Sequence, residues 1–166
     1  MKKALIFVDW FDPAYKAGGP IRSCVNLVRA MEQEVELYIV TSDLDLDGEL
    51  KIAQKNCWVP YSRSSKVMYL SASQRKWNCI VHLFQNIKPD FVLLNSMYSR
   101  VFTIYPLLIS RLKQVDAKFF IFPRGMLKLS ALNIKKNKKK VFFLLAKSLF
   151  VGYNKSFIVS DTLEAT

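Results

Sequence analysis

Two glycines and a proline stand where this chain could hold a phosphate. Gly18, Gly19 and Pro20 follow the apolar run "ALIFVDW" and open the segment "PIRSCVNLVRAM". Glycine permits positive φ and close backbone approach. Proline suits the first helical position, where its missing N–H is not needed. A helix starting here would turn unpaired N–H groups and a positive dipole end toward an anion. Arg22, in the first turn, is unfavourable at that end unless an anion offsets it. The alternative is an ordinary tight strand–helix connection, because neither G-x-G-x-x-G nor G-x-x-x-x-G-K-[ST] is present.

Other chemistry has less support. In "SDLDLDGELKIAQ", Asp43, Asp45, Asp47 and Gly48 fall at positions one, three, five and six of a calcium loop. Position twelve is Gln54, which cannot close the cage with a bidentate carboxylate, and the strand-like "VELYIVTS" precedes it where a helix is required. The segment reads as a solvated acidic turn, and no metal is expected. His82 is the single histidine and falls mid-helix, so a Ser/His/Asp or Cys/His apparatus has little to stand on. Cys24, Cys57 and Cys79 are odd in number without C-x-x-C spacing, which points to reduced thiols in a cytoplasmic protein.

The elements that must position these residues alternate. "ALIFVD", "VELYIVTS", "KVMYL", "FVLLNS", "KFFIFP" and "SFIVS" are short and near-continuously apolar, as strands buried on both faces of a parallel sheet are. Between them run helical patterns: Ile21, Cys24, Val25, Val28 and Met31; Trp77, Ile80, Val81, Phe84 and Ile87, ending at Pro89; then "FTIYPLLISRLKQ" and "KKVFFLLAKSLFVGY". The piece from Leu50 to Lys66 reads as irregular. Such alternation predicts an α/β fold with a doubly wound, mainly parallel, Rossmann-like sheet. Ligands then bind beyond the carboxyl ends of the strands, where chain order reverses.

The 166 residues suit one domain, 51% of them hydrophobic, with no stretch long enough to span a membrane. The opening "MKKALIFVDW" reaches Asp9 after five apolar residues, too few for a signal-peptide core. Charge is uneven. Of the formal +12, residues 117–160 carry ten Lys/Arg and no acid. Lys135, Lys136, Lys138, Lys139 and Lys140 form a block ahead of Phe142 and Phe143. A solvated helix start, an anionic membrane surface at the inner face of the membrane and nucleic acid compete as explanations. Nucleic acid is the weakest, because the aromatics follow the lysines instead of interleaving with them.

"GGPIRSCVNLVRAM" after the first strand, "LLNSMYS" after the fourth, "FPRGMLKLSALNIKKNKKK" after the fifth and the terminal "SFIVSDTLEAT" together resemble the amino-terminal half of glycosyltransferase family 4. The four motifs, in order, cover almost the whole chain. The resemblance implies a GT-B architecture of which residues 1–166 are the single acceptor-side domain, the carboxy-terminal nucleotide-sugar domain being absent. It implies a retaining hexosyltransferase moving sugar from a nucleotide-sugar donor to a polysaccharide or lipid-linked acceptor. The isolated domain would be inactive, with no cofactor and no obligatory metal. Gly18, Gly19 and Arg22 would border the donor's diphosphate and sugar. Asn95 aligns with the family's reaction-centre histidine; asparagine cannot act as a base but can donate and accept hydrogen bonds. Asn95 and Ser96 are therefore expected to orient substrate, with no residue certain as a catalyst. Arg124 would fork onto phosphate or sugar hydroxyls, and Gly125 would let the backbone turn close to the ligand. A non-catalytic, flavodoxin-like anion- or nucleotide-binding module and a basic nucleic-acid-binding domain are the alternatives.

Overall fold

The computed structural model describes residues 1–122 other than 97, together with 155–157. Its elements are β1 (Lys2–Phe7), α1 (Gly19–Met31), β2 (Val35–Ser42), β3 (Leu44–Asp45), β4 (Gly48–Glu49), β5 (Val59–Ser62), β6 (Ser65–Leu70), α2 (Trp77–Ile87), β7 (Phe91–Leu94), α3 (Tyr105–Leu112), β8 (Lys118–Ile121) and β9 (Lys155–Phe157). A 3-10 turn at Tyr15–Ala17 leads into α1, and a π-helical turn at Arg100–Ile104 leads into α3.

One seven-stranded sheet runs β5-β6-β2-β1-β7-β8-β9, parallel throughout except for β5. Leaving out β5, the parallel strands in order of appearance lie 3-2-1-4-5-6, the order of doubly wound dinucleotide-type folds. The chain therefore reverses direction across the sheet between β1 and β7. β5 lies in the stretch expected to be irregular. Four residues broken by Pro60, with a register shift against β6, leave too little alternation for a strand signal.

Both faces of the sheet are covered, which is why the parallel strands are apolar at nearly every position. Ala4 and Ile6 of β1 pack with Ile21, Cys24, Val25 and Val28 of α1 on one face. Leu5 and Phe7 pack with Ile80, Phe84 and Ile87 of α2 and with Leu107 and Ile109 of α3 on the other. Leu5, Ile6 and Phe7 are fully buried, each contributing roughly 1.5–3 kcal/mol. At the amino edge Asp90 accepts from the Lys3 N–H at 2.8 Å, while its own N–H donates to the Lys3 carbonyl. That aspartate ties β7 to β1 and stands at the end of the sheet away from any ligand crevice.

α2 stops where its pattern predicts, at Ile87 before Pro89. Its cap, Lys88, has φ 50° and ψ 64°, and its N–H donates to the Phe84 carbonyl. A left-handed lysine costs about 1–2 kcal/mol that glycine avoids, less the extra freedom glycine gains when unfolded. Lys88→Gly should therefore raise stability by up to about 1 kcal/mol in urea unfolding. A loss of stability would show that Lys88 contributes more through its side chain than its backbone costs.

Candidate functional site

Asp9, two residues beyond β1, is held from both sides of the reversal point. From β2, Ser42 donates to the Asp9 carbonyl through Oγ at 2.5 Å and through its N–H at 3.4 Å. From the loop after β7, Ser99 Oγ donates to Asp9 Oδ1 at 2.6 Å. The same Ser99 oxygen accepts from the Phe102 N–H at 3.2 Å, capping the π-helical turn. One hydroxyl thus fixes a helix start and a carboxylate together. Asp9 is half-buried and forms no ion pair among the described residues.

Asn95 and Ser96 stand at the same edge, directly after β7, and are 6% and 4% exposed. The Asn95 N–H donates to the Phe7 carbonyl at 2.9 Å, extending the pairing of β7 with β1. The Ser96 carbonyl accepts from Thr103 Oγ1. Both residues are buried at this edge, and the helical turn that follows is capped by Ser99.

Residues 8–18 join β1 to α1 and place the glycines at an open surface. Gly18 has φ 90°, and a Cβ added at either Gly18 or Gly19 would meet nothing within 4 Å. The first turn of α1 has neither a side-chain cap nor an acidic residue. Arg22 is exposed there and lines, with Tyr15, Val25, Asn26 and Arg29, a cleft of about 400 Å³ along the helix. The Lys16 N–H donates to Asp45 Oδ2 at 3.3 Å, and its ammonium reaches Asp47 at 2.5 Å. The acidic turn is thus a small β3–β4 hairpin propping the glycine segment.

Asp43 departs from the solvated reading. It is 1% exposed, with Oδ2 3.0 Å from Lys55 Nζ and Oδ1 3.9 Å from Arg75. Lys55 also reaches Glu49 at 2.5 Å. The sequence spacing exposed all three aspartates alike; the fold draws Asp43 alone beneath the loops after β2 and β6. His82 is exposed on α2, away from the carboxyl edge. Arg124, Gly125, Lys135, Lys136, Lys138, Lys139 and Lys140 lie outside the described residues. No helix among the described residues is long and apolar enough to cross a membrane.

No protein-family model and no curated protein matches the chain. Solved structures do match in fold. A dTDP-glucose 4,6-dehydratase from Bacillus anthracis, in complex with NAD, superposes at a TM-score of 0.56 and 10% identity, over 96% of this chain and 53% of that one. The Bordetella bronchiseptica enzyme WbmH, in complex with NAD+, superposes at 0.52 and 13% identity, over 96% of this chain and 56% of that one. The chain spans about half the length of each. At these identities the likeness establishes the fold, a Rossmann-like α/β sheet.

Two expectations are corrected by these neighbours. They are a dehydratase and an NAD-holding enzyme, so the expectation of a hexosyltransferase is not upheld. Both hold NAD, which runs against the expectation of no cofactor. The physical reason is that a glycine pair before a helix reports a backbone shape, not the reaction performed beside it. The open space over Gly18 and Gly19 and the uncapped first turn of α1 fit a nucleotide's diphosphate. The acid that holds an adenosine ribose in this fold stands near the end of the second strand. Here Asp43 follows that strand, and its carboxylate faces Lys55 and Arg75.

Proposed function

We propose that this chain is a nucleotide-binding domain that holds a nucleoside diphosphate ester, either a dinucleotide such as NAD or a sugar nucleotide, at the start of α1. One observation carries the reading. In a sheet ordered 3-2-1-4-5-6, the helix after the first strand opens on Gly18–Gly19 into free space, with Arg22 and no acid in its first turn. A diphosphate there would be favoured by the helix dipole and by one arginine. The NAD-bound neighbours support a nucleotide of this class. Three cysteines without C-x-x-C spacing suit a reducing, cytoplasmic setting.

Gly19→Val tests this cleanly, because the added side chain fills space that nothing else occupies and leaves α1 to fold. Pyrophosphate, NAD+ and dTDP-glucose should each perturb the backbone amides of residues 16–23 in NMR titrations. Gly19→Val should weaken all three by about tenfold or more, the equivalent of one lost charge-assisted contact. Amides 16–23 that stay unmoved at saturating pyrophosphate would refute the site.

A further inference from the structure

We infer that Asp9, positioned by Ser99 and Ser42 at the reversal point, is a hydroxyl-recognition subsite for the sugar end of a sugar nucleotide. This rests on the nucleotide reading above and selects between its two ligands. The argument begins with charge. A phosphate is repelled by a carboxylate, whereas a polyol donates to one. The α1 start, with Arg22 and no acid in its first turn, and the Asp9 carboxylate therefore sort the two ends of a sugar nucleotide, anion to one and hydroxyls to the other.

Geometry supplies the rest. Asp9 is fixed by bonds from two elements, its carbonyl by Ser42 and its Oδ1 by Ser99. Such a carboxylate loses little freedom when a ligand arrives. Ser99 is itself pinned, because it caps the turn before α3. Ser99 engages Oδ1, which leaves Oδ2 for a ligand hydroxyl. Trp10 follows directly and is 38% exposed, so its indole offers a flat apolar face to a pyranose ring.

The experiment compares dTDP with dTDP-glucose on the 166-residue chain. Binding is measured by calorimetry and by the indole N–H signals of the three tryptophans. dTDP-glucose should bind about tenfold more tightly than dTDP, and it alone should shift the Trp10 indole. Asp9→Asn keeps an acceptor for Ser99, so its urea midpoint should match the wild type. The variant should erase the tenfold difference while dTDP affinity stays within about twofold. Trp10→Ala should reduce the same difference without touching dTDP.

If dTDP binds but glucose adds nothing, or if Asp9→Asn keeps the full difference, the subsite is overturned and the nucleotide reading stands. If neither ligand nor pyrophosphate binds, both fall together. An Asp9→Asn chain with a lowered urea midpoint hands the decision to the wild-type indole signal, which overturns the subsite if it moves equally with dTDP.

Discussion

Lys55→Met should destabilise the chain by about 3 kcal/mol, because it strands a buried carboxylate. Asp43 is 1% exposed, and its Oδ2 has Lys55 Nζ at 3.0 Å. Arg75, at 3.9 Å from Oδ1, is close enough for charge attraction and too far for a hydrogen bond. Oδ1 and the Arg75 Nε are buried with no hydrogen-bond partner among the described residues. Without Lys55 the carboxylate would keep one poorly aligned cation. Breaking a buried pair from one side costs about 3–5 kcal/mol, and the lower end applies because Lys55 is itself a quarter exposed. Lys55→Met combined with Asp43→Asn should recover at least half of that loss, since the uncompensated charge is gone. A single-variant cost below about 1 kcal/mol in urea unfolding would show that water already reaches Asp43.

Alkaline pH should unfold the chain well before its peptide chemistry fails. Burial, then the negative charge of Asp12, pushes the Tyr69 phenol up to about 12. Burial, then a hydrogen bond to Glu36, pushes Tyr38 up to about 12 as well. Burial, then its hydrogen bond to Asp12 at 2.8 Å, raises Tyr61 further. Each folded phenol keeps its proton at a pH where the unfolded one, near 10, has lost it. The contribution is therefore complete below pH 10 and is lost as pH rises from 10 through about 12. The rise on Tyr69, which is 7% exposed, corresponds to a contribution on the order of 2 kcal/mol. Urea midpoints should thus fall steeply between pH 10 and pH 12. Tyr69→Phe should begin lower, having lost its 2.6 Å bond to the Asp12 carbonyl, and fall less steeply. Equal slopes for the two proteins would mean that Tyr69 ionises in place.

The tyrosines show how the β1–α1 loop is fastened. Tyr61 of β5 and Tyr69 of β6 both donate to Asp12, drawing the loop over the α1 face, where Phe11 packs edge-on to Tyr61 at 5.0 Å. The Gly18–Gly19 segment is therefore carried by a loop anchored across two strands and by the β3–β4 hairpin under Lys16. The proposed anion site would, on such a support, need little ordering on binding.

Sequence by itself determined the fold class and most of the elements, though not β5 or the β3–β4 hairpin. Apolar runs such as "VELYIVTS" and the helical stripe Ile80, Phe84, Ile87 report burial directly, because periodicity is a local property of the chain. The glycine pair and Pro20 likewise announced a helix start, and α1 begins at Gly19. Family likeness read from four motifs went further and named a reaction, which the NAD-bound neighbours corrected. Loop motifs encode backbone shape, and one shape serves several chemistries. Tertiary structure alone decided which polar residues meet. Ser99 reaches Asp9 across 90 positions, and Tyr69 reaches Asp12 across 57. It also decided that Asp43, one of three aspartates alternating in sequence, is buried between Lys55 and Arg75 while Asp45 and Asp47 face Lys16. No spacing rule carries such pairs, because their geometry comes from the order of strands in the sheet, and that order is set by packing on both faces at once.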